Sequence, residues 1–448
     1  MIPIKLPFAV FLVFVSSGLC AQTTLSKGEV TSDLEFLKTQ LVEYHPGLRT
    51  YSSTEAVNEW FDIQIAALPD SLSRSEAYEI VSLFSSVLKD GHSYIYPSTK
   101  HLEAFFKGSP LFPLDVFPAE DGLAVVGNYS EEGDIPLGSI LTHVNGVEVA
   151  EMETFVVERT SRDGDNLGYP KHLFSKFFPA YHSYFYGFHK EYTISLIDNE
   201  GITKSTTIKG LTRAEIKTKR PDEEGSGITL KFIPEAQAAV LSIASFDKKI
   251  LKDDFDQNFK KEVREAFRLL KNNNVENLAI DLRDNQGGNL SNGVYLLKQF
   301  MDSSFQCVDH FNRVKKGEIK TVRSAWDDFI KPAKKYNFSG NVFLFINGGS
   351  FSCSAIVANT FKENKRGIII GEMTGGSAYI NSGAPDRIVV LPNTQISFTI
   401  PRTQYCLRER VDEIGLGVVP DIPLLDEASR MYTDSDNFIK RFVELCDE

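Results

Sequence analysis

Over residues 31–89 apolar side chains recur at three- and four-residue steps, the period of a helix with one buried face. Leu34, Leu37, Leu41 and Tyr44 mark a first helix, stopped by His45-Pro46-Gly47. Trp60, Ile63, Ile65 and Leu68 mark a second, closed at Pro69. Tyr78, Val81, Phe84 and Leu88 mark a third, ended by Asp90-Gly91. From about Pro110 to Glu200 the pattern changes to strands and turns. Residues 122–126 read as a strand, and 138–149 read as a hairpin around Asn145-Gly146, a turn dipeptide that tolerates positive φ. Residues 151–190 crowd aromatic side chains together and fit neither period. Residues 192–197 and 205–208 read as strands flanking Asp198-Asn199-Glu200-Gly201, and the charged, glycine-containing stretch 217–227 reads as a linker.

Beyond the linker, strand and helix alternate. Residues 238–243 form a strand, and 253–271 an amphipathic helix carrying Phe255, Phe259, Val263, Phe267 and Leu270. A buried strand, 278–282, runs into Arg283-Asp284-Asn285-Gln286-Gly287-Gly288-Asn289. Then come a helix over 294–300, a strand over 342–346, a helix over 352–362, a strand over 368–371 and a loop over 372–377. Such alternation predicts an α/β layer architecture with sites at strand ends.

Composition narrows the function. Of 448 residues, 42% are hydrophobic and 24% charged, ordinary for a globular protein, and the length allows two or three domains. A net charge of −12 without a long basic run argues against a nucleic-acid partner. The 33 phenylalanines point to large buried faces. Lys5, the apolar run 6–15 and Ser16 to Ala21 have the order of a secretory signal, with cleavage expected after Ala21. Leu19 before Cys20 fits a lipid-anchor site poorly. The run is too short to span a bilayer comfortably, and no integral membrane segment is expected after signal removal. Cys307, Cys353, Cys406 and Cys446 have no metal-ligand spacing and are too few for a disulfide scaffold.

The candidate chemistry lies at three loops. Asn347-Gly348-Gly349-Ser350-Phe351-Ser352-Cys353-Ser354 joins a strand to a helix, where free amides and the helix dipole converge. The plainest role for Ser350 is to N-cap that helix. Residues 284–289 follow another strand and also contain paired glycines. His92 sits just past a helix C-terminus. A serine, a distant histidine and converging amides meet the residue requirements of acyl transfer.

These motifs, in this order, resemble the family of C-terminal processing (tail-specific) peptidases and the related tricorn-core and interphotoreceptor retinoid-binding protein domains. The likeness rests on Asp281 to Gly288, on Asn347 to Ala355 followed by Gly371-Glu372-Met373-Thr374-Gly375-Gly376, and on Gly415-Leu416-Gly417-Val418-Val419-Pro420-Asp421. The 138–149 hairpin is similar to the core of a PDZ domain. The resemblance implies an α/β fold with a crotonase/ClpP-like catalytic core over 228–430. It also implies an N-terminal helical subdomain over 30–105, a PDZ-like β-rich domain with an aromatic-rich extension over 110–215, and a C-terminal helix over 431–448, behind a signal peptide over 1–21.

It further implies an exported serine endopeptidase, periplasmic or extracellular, acting on peptides or unfolded protein tails without a metal or organic cofactor. The family nucleophile falls on Ser352, with oxyanion donors at the N–H of Cys353 and of Gly287 or Gly288. One branch uses a lysine base, but its position here is Ser377, and neither Ala378 nor Tyr379 supplies an amine. The tricorn-like branch takes a histidine from an N-terminal helix end, which matches His92. Its carboxylate partner falls nearest Glu413, with Glu409 as a rival. Arg283 and Asp421 are expected to be structural, and the remaining histidines to be packing or surface residues. The absence of Gly-x-Ser-x-Gly argues against an α/β-hydrolase elbow. The alternative is a catalytically inactive peptide- or ligand-binding protein on the same scaffold.

Overall fold

The computed structural model describes residues 24–119, 122–131, 135–220, 227–315, 317–323, 328–407, 415–424 and 435–447. The expected signal peptide, Cys20, most of the expected linker and both Glu409 and Glu413 lie outside them.

The N-terminal helices form where the stripes predict them, and each begins on a serine. Ser26 and Glu29 close a capping box on Lys27–Tyr44, Ser53 caps Thr54–Ala67, and Ser73 with Glu76 closes a second box on Arg74–Ser82. The third stripe is split, because Ser86 and Val87 donate to the carbonyls of Leu83 and Phe84, three residues back. The chain tightens there and continues as Ser85–Leu88. Phe84 and Leu88 nevertheless stay in the core. Lys89, at φ 53°, ends this helix in the left-handed region and releases the chain into Asp90-Gly91-His92.

The middle of the chain forms an antiparallel sheet in the order Leu114–Ala119, Gly122–Asn128, Ile140–Val144, Glu191–Ile197, Thr203–Lys209. Asn145 and Gly146 both have positive φ and turn Ile140–Val144 back onto Val147–Glu148, as the dipeptide predicts. The aromatic stretch that fitted no period is helical: Val149–Glu158, Gly168–Lys176 and Phe178–Tyr186. Tyr169, Phe174 and Phe178 are almost fully buried. Apolar side chains on all sides hide a helix's amphipathic period.

A second sheet carries the candidate chemistry. Its strands run Ile228–Ile233, Ala238–Ile243, Asn277–Asp281, Asn341–Ile346, Ile368–Gly371, Ile422–Pro423; the first is antiparallel to its neighbour and the rest are parallel. Alternate residues face opposite layers. Leu278, Ile280, Leu344, Ile346 and Ile369 pack with Val263, Phe267, Leu270, Leu297 and Val357, contributed largely by the helices Phe259–Asn272, Leu290–Leu297 and Cys353–Glu363. Ala279, Phe343, Phe345 and Ile370 face the helix Ser435–Asp447 through Phe438, Phe442 and Leu445. Burial on both faces explains the continuous apolar runs. The helix expected over 253–271 is instead two, Lys248–Phe255 and Phe259–Asn272. Asp256 turns left-handed at φ 51°, and the Asn258 side chain caps the second helix.

Because Phe442 packs edge-on against both Phe343 and Phe345, Phe442→Ala is expected to cost about 3–5 kcal/mol. Urea unfolding of the two proteins checks this.

A third sheet, in the order Glu318–Val322, His310–Lys315, Ser397–Cys406, Ile380–Val390, brings the distant parts together. Ile95–Tyr96 pairs with Ser397 and Phe398. This anchors the chain three residues beyond His92 to the strand Ser397–Cys406.

Candidate active site

The strand Asn341–Ile346 ends in a turn held from within. Ser350 Oγ accepts the Asn347 N–H at 3.0 Å and donates to the Leu282 carbonyl at 2.8 Å. Ser350 therefore ties two strand ends together and does not cap the helix. Ser352 stands at the position before Cys353–Glu363, at φ 54° and ψ −118°, and its hydroxyl makes no capping bond. A non-glycine residue held there stores roughly 1–3 kcal/mol of strain. His92 Nε2 lies 3.0 Å from that hydroxyl.

The loop after Asn277–Asp281 closes over this turn. Arg283 grips Asp281 through two contacts, at 2.9 and 2.7 Å, as expected of a structural pair. Of the two glycine amides expected to face an oxyanion, that of Gly287 is already committed to Asn285 Oδ1 at 2.9 Å. Gly287 is thus corrected to a spacer. The amides of Gly288 and Cys353 have no acceptor among the described residues. The spacer is tight: a Cβ on Gly287 would lie 2.7 Å from the Phe351 carbonyl and 2.8 Å from Ser352 Cβ, at φ +97°. Gly287→Ala is expected to cost about 1–2 kcal/mol in backbone strain alone. It is also expected to displace the serine turn, lowering Ser352 reactivity about 10²-fold. Comparing thermal stability with the rate of covalent labelling separates the two effects.

Asp90 accepts the His92 N–H at 3.0 Å, and the imidazole lies against Phe351, which itself stacks on Tyr169 at 3.8 Å and 5°. Burial pulls the His92 pKa down to about 4, against the opposing charge of Asp90. His92 Nδ1 is buried without a partner among the described residues. That is where an orienting carboxylate belongs, and the Glu413 and Glu409 candidates for it fall outside the described residues. Ser377, which the resemblance sets at the lysine-branch position, donates its amide to Asp163 Oδ2 at 3.0 Å.

Sequence reasoning missed the support behind the histidine. His45 is buried, accepts the Gly47 N–H through Nδ1 at 3.1 Å, and meets Ser93 Oγ through Nε2 at 3.0 Å. Only the short Asp90-to-His92 spacing signals this network in the sequence. Asp421 is structural, as expected: it exchanges hydrogen bonds with the Ile369 backbone. Among the described residues Cys307, Cys353 and Cys406 form no disulfide.

A cavity of about 320 Å³ opens over Ser352 and His92. Ile250, Leu290 and Ile356 line it beside the glycine loop, and Tyr94, Tyr96 and Tyr181 line it beside the histidine. Among the described residues no group of three or more His, Cys, Asp or Glu is placed to hold a metal ion, and no helix is long and apolar enough to cross a membrane.

A serine hydroxyl on a strained strand-to-helix turn, an imidazole at hydrogen-bond distance and two open amides are the components of acyl-transfer chemistry. Comparison with known proteins points the same way. Residues 237–424 match the model of peptidase family S41, and over that segment the chain is similar to the C-terminal processing and tail-specific peptidases. It is 30% identical over 173 residues to carboxyl-terminal-processing peptidase 2, chloroplastic, of Arabidopsis thaliana, covering 38% of this chain and 30% of that protein. It is 28% identical over 163 residues to the tail-specific protease of Haemophilus influenzae, covering 36% and 20% respectively. The chain therefore spans about a third or less of these relatives' length. The structure of mature CPAF complexed with lactacystin shares the fold much more fully. It has a TM-score of 0.69 at 16% identity and covers 94% of this chain and 98% of that one.

Proposed function

We propose that the protein is an exported serine endopeptidase of the S41 type, acting on peptides or unfolded protein tails. The observation that carries this reading is the 3.0 Å approach of His92 Nε2 to Ser352 Oγ, joining residues 260 positions apart in the chain. In the proposed cycle His92 Nε2 takes the Ser352 proton as Oγ attacks the peptide carbonyl. The oxygen that gains negative charge is held by the Gly288 and Cys353 amides. His92 then gives its proton to the departing amine, leaving an acyl-serine. Water, deprotonated by the same imidazole, attacks that ester; its C–Oγ bond breaks as the imidazolium returns the proton to Oγ, releasing the carboxylic acid and restoring Ser352. Glu413 or Glu409 would hold Nδ1–H and stabilise the imidazolium. No metal or organic cofactor takes part.

In this reading residues 228–430 are a crotonase/ClpP-like core. The sheet within 110–215 is a PDZ-like domain that receives an extended peptide along a strand edge. The partner is a peptide or unfolded polypeptide. Incubation with a reduced, unfolded protein tests this: fragments should accumulate and be resolved by mass spectrometry. The second reading, an inactive binding protein, is favoured by one observation, the lack of an amine at Ser377, Ala378 and Tyr379. It predicts saturable peptide binding with no fragments.

A further inference from the structure

We infer that Asp163 is a positioning residue, a carboxylate clamp that holds the His92 loop in register with the segment packed behind Ser352. This rests on the peptidase reading for its consequence, but the clamp itself is a matter of geometry. His92 lies in an irregular loop, and the amide before it, that of Gly91, donates to Asp163 Oδ1 at 2.9 Å. The other oxygen, Oδ2, accepts the Ser377 amide at 3.0 Å. Gly376, just before Ser377, is packed so closely that a Cβ there would lie 2.9 Å from the Ser352 amide nitrogen. One carboxylate thus bonds the backbone beside the base and the backbone against the serine.

The neighbours of Asp163 strengthen the same link. The Gly164 N–H donates to the Lys89 carbonyl at 2.9 Å, and Asn166 Nδ2 donates to the carbonyls of Thr374 and Gly375 at 2.9 and 3.2 Å. Gly91 is needed for the approach, since a Cβ there would lie 2.8 Å from Asp163 Oδ1 and 2.7 Å from the Phe351 ring. Asp163 is 1% exposed, too buried to act by touching substrate. The resemblance sets Ser377 where the lysine branch carries its base, so here that position serves through its amide as the clamp's second anchor.

The charge environment makes the clamp sensitive to protons. Asp90 faces Asp163 from the histidine loop, Tyr51 from the segment after the first helix, and Tyr169 from Gly168–Lys176. The loop 374–377 brings backbone amides. Lys89 is engaged with Asp165 at 2.7 Å, and His45 lies 3.8 Å from Asp90 on its other side. Burial first, and Asp90 second, push the Asp163 pKa up to about 7. Below that pH the carboxyl gains a proton, one oxygen ceases to be a good acceptor, and one amide is released. His92 protonates only near pH 4. Two separate steps follow.

The test combines a pH profile with hydrogen exchange on the full chain and on Asp163→Asn, which keeps the shape but turns an N–H donor toward one of the two amides. In wild type, kcat is expected to fall in a first step near pH 7 and a second near pH 4. In Asp163→Asn, kcat at pH 8.5 should be down about 10²-fold with KM within twofold, the step near pH 7 absent and the step near pH 4 retained. Peptides spanning residues 89–96 should exchange at least about tenfold faster in Asp163→Asn than in wild type at matched pH. Unchanged exchange in that segment overturns the clamp whether or not the protein hydrolyses anything. Should the variant not fold, wild-type exchange over residues 89–96, corrected for its intrinsic rate, that shows no loosening between pH 8.5 and about pH 5 overturns the clamp. Absence of all hydrolysis with faster exchange in the variant sinks the peptidase reading and leaves the clamp standing.

Discussion

Ser352→Ala is expected to lower the hydrolysis of an unfolded protein by at least about four decades, because losing the nucleophile leaves only amides and binding to act on the carbonyl. Folding should barely change. Ser352 Oγ makes no capping bond, and alanine tolerates φ 54° no worse than serine does. Thermal unfolding within about 1 kcal/mol of wild type would establish that the loss is chemical. A variant that keeps a tenth of the activity would mean that another group attacks the substrate.

The second large effect is expected from His92→Ala, again about four decades in kcat/KM. The sign of the pH dependence follows from the site. Burial depresses the imidazole pKa to about 4, so the ring is neutral and able to accept a proton at every pH above that. Activity governed by His92 alone should be lost as pH falls through about 4 and should persist at neutrality. A base of such low pKa is a weak one. A carboxylate at Nδ1 would raise it, and Glu413→Gln and Glu409→Gln, measured side by side, should show which of the two supplies it: the true partner loses about 10²-fold or more in kcat, the other little. His92→Ala protein with undiminished turnover would remove the histidine from the mechanism.

Much of this was legible from the residues, for identifiable reasons. The N-terminal helices announce themselves through one apolar stripe each, and the parallel strands at 278–282 and 342–346 through short apolar runs that lead into glycine pairs. Gly168–Lys176 and Phe178–Tyr186 did not, because aromatic residues on several sides erase the period. The strand Ser397–Cys406 also escapes a sequence reading. It contains Pro401, and it buries Thr403 and Gln404, whose polar groups find Arg313 and Thr50 inside the fold. The break at Asp256 depends on one residue turning left-handed within an otherwise continuous amphipathic pattern.

In the site, Ser352 and His92 were legible through the motifs around them, and the structure brings their side chains together. The distinction between Gly287 and Gly288 was not, since it depends on which amide Asn285 captures. Nor was Asp163. Its significance comes from two amides far away in sequence, at Gly91 and Ser377, and an aspartate before a glycine reads locally as a turn.

The most direct test of the account is to expose the folded protein to a fluorophosphonate probe at pH 8 and map the adduct by peptide mass spectrometry. The predicted result is a single covalent adduct on Ser352, absent from Ser352→Ala and strongly slowed in His92→Ala. No adduct on the wild-type protein, or one on a different serine with Ser352 unmodified, would contradict it.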